Sequence, residues 1–267
     1  MGQKLGQHFL INKNAIEKII AALELKNNET IIEIGPGKGA LTIPLIKACE
    51  KIECKIIGIE KDKKIAQQLV TGKWKLEIII GDALKIIPQL VSNYQLPIAN
   101  YKIVGNIPYY ITGKLMRVLS ELENKPSLIV LTIQKEVAER IMAQPPKMNL
   151  LAAATQFWAE PKIIGYLKPS DFSPPPEVES AIIKLTPRLI TNYQLPMPTG
   201  KQAISNYYKL IKILFKQPRK TALNNLVDGL GISKFKGLEI LKKIGLSGEE
   251  RPQNLNINQI KQLLEIL

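Results

Sequence analysis

Apolar positions at Ile16, Ile19, Ile20 and Leu23 recur at three- and four-residue intervals. Asn14, with Glu17 three residues later, has the form of a capping box, so the spacing predicts a first helix capped by Asn14. Beyond it, short β-branched runs alternate with longer helical patterns. Strands are expected at Thr30–Ile34, Lys55–Glu60, Leu76–Ile80, Tyr101–Val104, Leu128–Ile133, Lys162–Tyr166 and Ser180–Leu185. Several are nearly continuous in Ile, Val and Leu, as in strands covered on both faces of a parallel sheet. The alternation predicts a doubly wound α/β domain over residues 1–187. Thr186–Gly200 holds Pro187, Pro196, Pro198 and Gly200 without periodicity, and residues 188–200 read as a linker. From residue 201 to 267 the pattern is helical only, at Gln202–Phe215, around Thr221–Leu226, at Lys234–Ile244 and at Ile257–Leu267.

Composition adds a partner class. The 267 residues carry 37 Lys and Arg against 23 Asp and Glu, a formal net charge of +14. Such an excess suits a polyanion, because Lys and Arg that neutralise phosphates release condensed counterions; the rival reading is a generically basic protein. Residues 201–267 hold 12 Lys and Arg and 5 Asp and Glu, so half of the net charge sits in the helical segment. Cys49 and Cys54 are the only cysteines, too few for a disulfide framework or a zinc site. His8 is the only histidine, which excludes a multi-histidine metal site and leaves a Ser-His-Asp triad no other choice. With neither a signal-peptide core nor a long apolar span, the expectation is a soluble cytoplasmic protein with no membrane association and no metal.

Candidate chemistry gathers where strands end. Strand Thr30–Ile34 runs into Gly35-Pro36-Gly37-Lys38-Gly39-Ala40, whose glycines permit a sharp turn and close approach of backbone to a ligand. The second strand ends in Glu60, 25 residues after Gly35, where a carboxylate can accept from both ribose hydroxyls. The third is followed by Gly81-Asp82, an acceptor suited to an adenine amine. The glycine run also satisfies a dinucleotide fingerprint, so an NAD enzyme is a rival. Pro36 weighs against it by removing a donor that a pyrophosphate would use. A third reading gives the glycines to a tight turn alone.

The fourth strand leads into Asn106-Ile107-Pro108-Tyr109. An amine conjugated to a purine is a poor nucleophile, and a site helps by accepting hydrogen bonds from both of its N–H groups. The side-chain oxygen of Asn106 and the carbonyl of Ile107 suit that task, with Pro108 fixing the turn and Tyr109 offering a face for a base. Proximity and alignment then supply much of the acceleration.

Three glycines and two strand-end acids together resemble the S-adenosylmethionine-binding fold of class I methyltransferases, a Rossmann-like, seven-stranded, mostly parallel sheet. The resemblance implies that Gly35 passes the methionine part, Glu60 holds the ribose and Asp82 meets the adenine. The Asn-Ile-Pro-Tyr tetrad resembles the signature of amino-group methyltransferases. Gly6-Gln7-His8-Phe9-Leu10, Gln134–Arg140 and Phe172-Ser173-Pro174-Pro175-Pro176-Glu177-Val178-Glu179-Ser180 resemble motifs of the ribosomal RNA adenine dimethyltransferases. From that family His8, Leu10 and Asn106 join the implied cofactor contacts, and Phe172 becomes a second stacking wall opposite Tyr109. The segments Phe215–Leu226 and Arg251–Leu255 are similar to the KsgA type, which dimethylates two adjacent adenines near the 3′ end of small-subunit rRNA. The Erm type, which modifies large-subunit rRNA, is the alternative, and a non-catalytic ribosome-assembly factor is another. Two positions depart from the family: Pro218-Arg219 replaces its usual paired arginines, and Pro145–Asn149 lacks its Tyr-Gly. The resemblance implies a monomer acting on a pre-assembled small subunit, docked by the basic helical domain.

Overall fold

The computed structural model describes residues 8–70, 76–92, 100–188 and 201–267. In chain order the elements are β1 (Phe9–Leu10), α1 (Lys13–Ala22), β2 (Thr30–Ile34), α2 (Thr42–Glu50), β3 (Lys55–Glu60), α3 (Lys63–Val70), β4 (Leu76–Ile80), α4 (Ala83–Ser92), β5 (Tyr101–Asn106) and α5 (Thr112–Glu121). They continue with β6 (Leu128–Gln134), α6 (Lys135–Met142), α7 (Leu150–Gln156), β7 (Ala159–Leu167), β8 (Phe172–Ser173) and β9 (Ser180–Pro187). The last four are α8 (Lys201–Leu214), α9 (Ala222–Leu230), α10 (Lys234–Lys243) and α11 (Ile257–Ile266). No helix among the described residues is long and apolar enough to cross a membrane.

Seven strands form one sheet in the order β4-β3-β2-β5-β6-β9-β7. The β4/β3, β3/β2, β2/β5 and β5/β6 pairs are parallel, and β9 runs antiparallel to β6. The Ile- and Val-rich runs account for this: β2 is buried along its whole length, and β3 and β5 at all but one position each. Among the buried charged residues of these strands, one is basic. Lys102, inside β5, donates from Nζ to Glu29 Oε2 at 2.7 Å and to the Glu24 carbonyl at 2.6 Å, at the N-terminal edge of the sheet. A lysine is tolerated in a central strand only when paired in this way.

Two compact units are present, Met1–Ala138 with Pro161–Pro187, and Glu139–Glu160 with Arg188–Leu267. The sequence pattern puts one boundary at 187, whereas Glu139–Glu160 groups with the helical unit. Side-chain contacts within that unit explain the grouping. The Tyr207 hydroxyl of α8 donates to the Ala153 carbonyl of α7 at 3.0 Å, and the Phe157 and Tyr207 rings stack with centroids 3.8 Å apart. Nothing in the hydrophobic period of Leu150–Gln156 announces that partner. The linker expected at 188–200 falls, apart from Arg188, outside the described residues, as do Gly6 and Gln7.

The first helix is capped by Asn12 rather than Asn14. Asn12 Oδ1 accepts the Ala15 N–H at 3.1 Å, and its Nδ2 donates to Asp171 Oδ1 at 2.7 Å. A partner 159 residues away fixes the cap, so the local signal at Asn14 and Glu17 loses.

Candidate active site

From β2 the chain moves through β3 and β4 toward one edge, then returns to place β5 on the other side of β2. The carboxyl ends of β2 and β5 therefore flank a topological switch point, where open α/β sheets leave a crevice. One cavity opens there. Its lining comes from the loops after four strands: Gly35 and Gly37 after β2, Glu60 and Lys61 at the end of β3, Gly81-Asp82-Ala83 after β4, and Asn106–Ile111 after β5. His8 and Phe9, with Ile34 of β2 and Ile59 of β3, complete it. Gly35, Glu60, Asp82, Asn106, His8, Ile107, Pro108 and Tyr109, named from sequence, thus share one wall.

Gly35 and Gly37 take φ of +67° and +56°, a left-handed conformation that disfavours side chains. A Cβ on Gly37 would stand 2.9 Å from Phe9 Cε1, whereas one on Gly35 would meet only open space. Glycine therefore lets Phe9 press on the loop at one position and leaves the cavity clear at the other. Glu60 is only 3 % exposed. Its Oε2 accepts the Gly37 N–H at 3.0 Å and its Oε1 the Asp62 N–H at 2.9 Å, so the carboxylate is held from both sides. Asp82 Oδ1 accepts the Leu84 N–H at 3.0 Å and starts α4.

At the end of β5 the Asn106 Nδ2 donates to the His8 carbonyl at 2.7 Å. That bond orients the amide, and Oδ1 has no donor among the described residues. The Ile107 N–H donates to the Thr132 carbonyl at 3.0 Å, tying the turn to β6. Tyr109 is held by a 2.7 Å hydrogen bond between its hydroxyl and Ser180 Oγ, and its ring lies 6.2 Å from that of His8, inclined by 25°. His8 Nδ1 lies 2.8 Å from the Pro174 carbonyl.

Two motifs read separately in the sequence form one ribbon. β1 pairs antiparallel with β8, Phe9 opposite Ser173 and Leu10 opposite Phe172. Strand alternation then sorts the side chains: Phe9 lines the cavity, while Leu10 and Phe172 are each 3 % exposed and sit in the core with Ile16, Ile31 and Ile182. The Leu10 and Phe172 side chains thus stand behind the wall and outside the cavity lining, and Phe172 presents no exposed ring opposite Tyr109.

Below the glycine loop, Glu33 of β2 is 1 % exposed, and its Oε2 has no partner among the described residues. Burial, reinforced by the charge of Glu60, pushes its carboxyl up to about 8. The sequence pattern alone does not mark Glu33, nor Phe9, Ile34, Ile59, Lys61, Ala83, Tyr110 and Ile111 of the lining. Lys61 and Ala83 each adjoin a strand-end acid, so the strand-end rule would have found them. Glu33 gives itself away as the one charged residue within Thr30–Ile34.

The model of the family "Ribosomal RNA adenine dimethylase" matches residues 2–267. A protein named "Ribosomal RNA small subunit methyltransferase A" from Dehalococcoides mccartyi is 38 % identical over 97 % of this chain and 86 % of its own length. One of the same name from Mycoplasma capricolum is 36 % identical over 98 % and 96 %. A dimethyladenosine transferase from Plasmodium falciparum superposes with a TM-score of 0.74 at 26 % identity, covering 96 % of both chains. The 23S rRNA methyltransferase ErmE superposes at 0.72 with 22 % identity, covering 96 % of this chain and 98 % of its own, and shares the fold. The seven-stranded sheet is that of class I methyltransferases, with a helical C-terminal region. With the match running from residue 2 to residue 267 and relatives of 36–38 % identity covered over most of their length, the chain belongs to the ribosomal RNA adenine dimethylase family.

Proposed function

We propose that this protein transfers methyl groups from S-adenosylmethionine to the N6 amines of two adjacent adenines near the 3′ end of small-subunit (16S) rRNA, as part of ribosome biogenesis. The observation that carries the reading is a single lining shared by the carboxylates of Glu60 and Asp82 and by the Asn106–Tyr109 turn. The cavity suits the cofactor: open space over Gly35 leaves room for its methionine part, and two strand-end acids, Glu60 and Asp82, are placed to meet its hydroxyls and amine. Gly35 would pass the methionine part, Glu60 hold the ribose and Asp82 the adenine, with His8 closing the far side. When bound, S-adenosylmethionine supplies an activated methyl group and leaves as S-adenosylhomocysteine.

The target amine donates its two N–H groups to Asn106 Oδ1 and the Ile107 carbonyl, which favours a more tetrahedral nitrogen. Pro108 fixes that turn, and Tyr109 receives the base on one face. A base that has left its stack regains contact on such a ring. The small-subunit branch is supported by the names of the relatives. The helical unit, which carries the basic excess of residues 201–267, is assigned to docking on a pre-assembled small subunit. The protein acts as a cytoplasmic monomer in this reading, without metal or membrane.

The test is the Asn106→Ala variant. It is expected to keep binding small-subunit particles while losing methyl transfer by at least about 100-fold, the order that follows loss of one preorganised transition-state contact. Unchanged turnover in that variant would sink the mechanism.

A further inference from the structure

We infer that Tyr110 is a nucleobase-binding residue, whose ring stacks on the nucleotide flanking the adenine held in the cavity. The inference rests on the proposed function and adds a second contact to it. Tyr109 and Tyr110 are consecutive, yet the structure treats them differently. Tyr109 is fixed by Ser180 and His8. Tyr110 is 60 % exposed, lines the same cavity, and has neither a hydrogen bond nor a ring contact among the described residues. Its exposure does not come from a loose loop. Tyr110 is the middle residue of a single 3-10 turn, Tyr109–Ile111, closed by the Ile111 N–H on the Pro108 carbonyl at 3.1 Å and continuing directly into α5. A rigid backbone therefore holds a large aromatic face at the edge of the cavity.

The substrate chemistry says what that face meets. A base drawn out of its stack leaves the next nucleotide without a partner, and every base presents a π-face that an aromatic ring accepts. Phe172 is buried among Leu10, Ile16 and Ile31 and provides no such face. Tyr110 remains as the exposed ring in the lining, and Lys61, an exposed cation of the same lining, suits a phosphate of the bound strand. Where two adjacent adenines are both modified, the flanking base in one of the two events is the other adenine.

Stacking on one base is worth about 1–3 kcal/mol by alanine substitution, or about 5- to 150-fold. The effect belongs to substrate binding, and the hydroxyl plays no part. The full-length protein is assayed with small-subunit particles lacking the methylations, measuring kcat and KM separately, alongside calorimetric binding of S-adenosylhomocysteine. Tyr110→Ala is expected to raise KM for particles by about 5- to 150-fold, with kcat and S-adenosylhomocysteine affinity within about twofold of wild type. Tyr110→Phe is expected to match wild type, and Tyr110→Leu, which keeps bulk without an aromatic face, to resemble Tyr110→Ala. An unchanged KM in Tyr110→Ala or Tyr110→Leu overturns the inference, as does a Tyr110→Phe defect equal to that of Tyr110→Ala. A fall in kcat at constant KM overturns it too, because the ring would then act on the reacting base. Absence of methylation by the wild-type protein is a separate result, which removes the proposed function itself.

Discussion

Replacing Glu60 by glutamine changes one atom, and the structure makes that change costly. Both carboxylate oxygens are already used by the protein, Oε2 by the Gly37 N–H at 3.0 Å and Oε1 by the Asp62 N–H at 2.9 Å. Glutamine has one acceptor oxygen. Whichever way its amide is turned, the NH2 group faces a backbone donor. One buried N–H is orphaned, which costs about 1–3 kcal/mol of stability. If Glu60 holds the ribose as proposed, at least one charge-assisted hydrogen bond is lost as well, worth about 1.5–3 kcal/mol, or about 10- to 150-fold in affinity. The assay is calorimetric titration of S-adenosylhomocysteine into wild type and Glu60→Gln, with urea unfolding of both. We expect weakening within that range together with the loss of stability. A variant that is less stable but binds within about twofold of wild type would refute the reasoning, leaving Glu60 as an organiser of the Gly37 loop and not a ligand.

Two further predictions separate the site from its scaffold. Glu33, raised from the ordinary 4.5 to about 8 by burial, is neutral in the folded protein where the unfolded chain is ionised; its contribution to stability is full below about 4.5 and drains away as pH rises to about 8. Glu33→Gln keeps the site neutral, so its urea midpoint is expected to fall less than that of wild type between pH 5 and 8; parallel profiles would contradict this. Lys102→Met strands the buried Glu29 carboxylate and is expected to cost about 3–5 kcal/mol in urea unfolding, with much of that recovered in the Lys102→Met/Glu29→Gln double variant. S-adenosylhomocysteine affinity, at the opposite end of these strands, should stay within about twofold, and a large loss would show that the two ends are coupled.

The core strands are legible because burial on both faces leaves an unambiguous apolar run; Thr30–Ile34 and Lys55–Glu60 have the bounds the pattern predicts, and so does the less buried edge strand Leu76–Ile80. The chemistry was legible for a related reason. In a parallel sheet every strand-end residue arrives at the same edge, so Gly35, Glu60, Asp82 and Asn106 converge without knowledge of the tertiary fold. What escaped depends on contacts between distant segments. Asn12 wins the helix cap through Asp171. Phe172 turns inward because its pairing with Leu10 sets which face of the ribbon meets the core, and one residue of register decides that. Glu139–Glu160 joins the helical unit through Phe157 and Tyr207, whose stacking leaves no mark on local periodicity. Tyr110 follows the Asn106–Tyr109 tetrad directly, but only the structure distinguishes an exposed ring from an anchored one.

The most direct test of the central claim uses ribosomal particles from cells lacking both methylations, incubated with the protein and methyl-labelled S-adenosylmethionine. Label is expected in small-subunit rRNA, recovered after digestion as dimethyladenosine at two adjacent positions. Label confined to large-subunit rRNA, or no label in either despite S-adenosylhomocysteine binding, would contradict it.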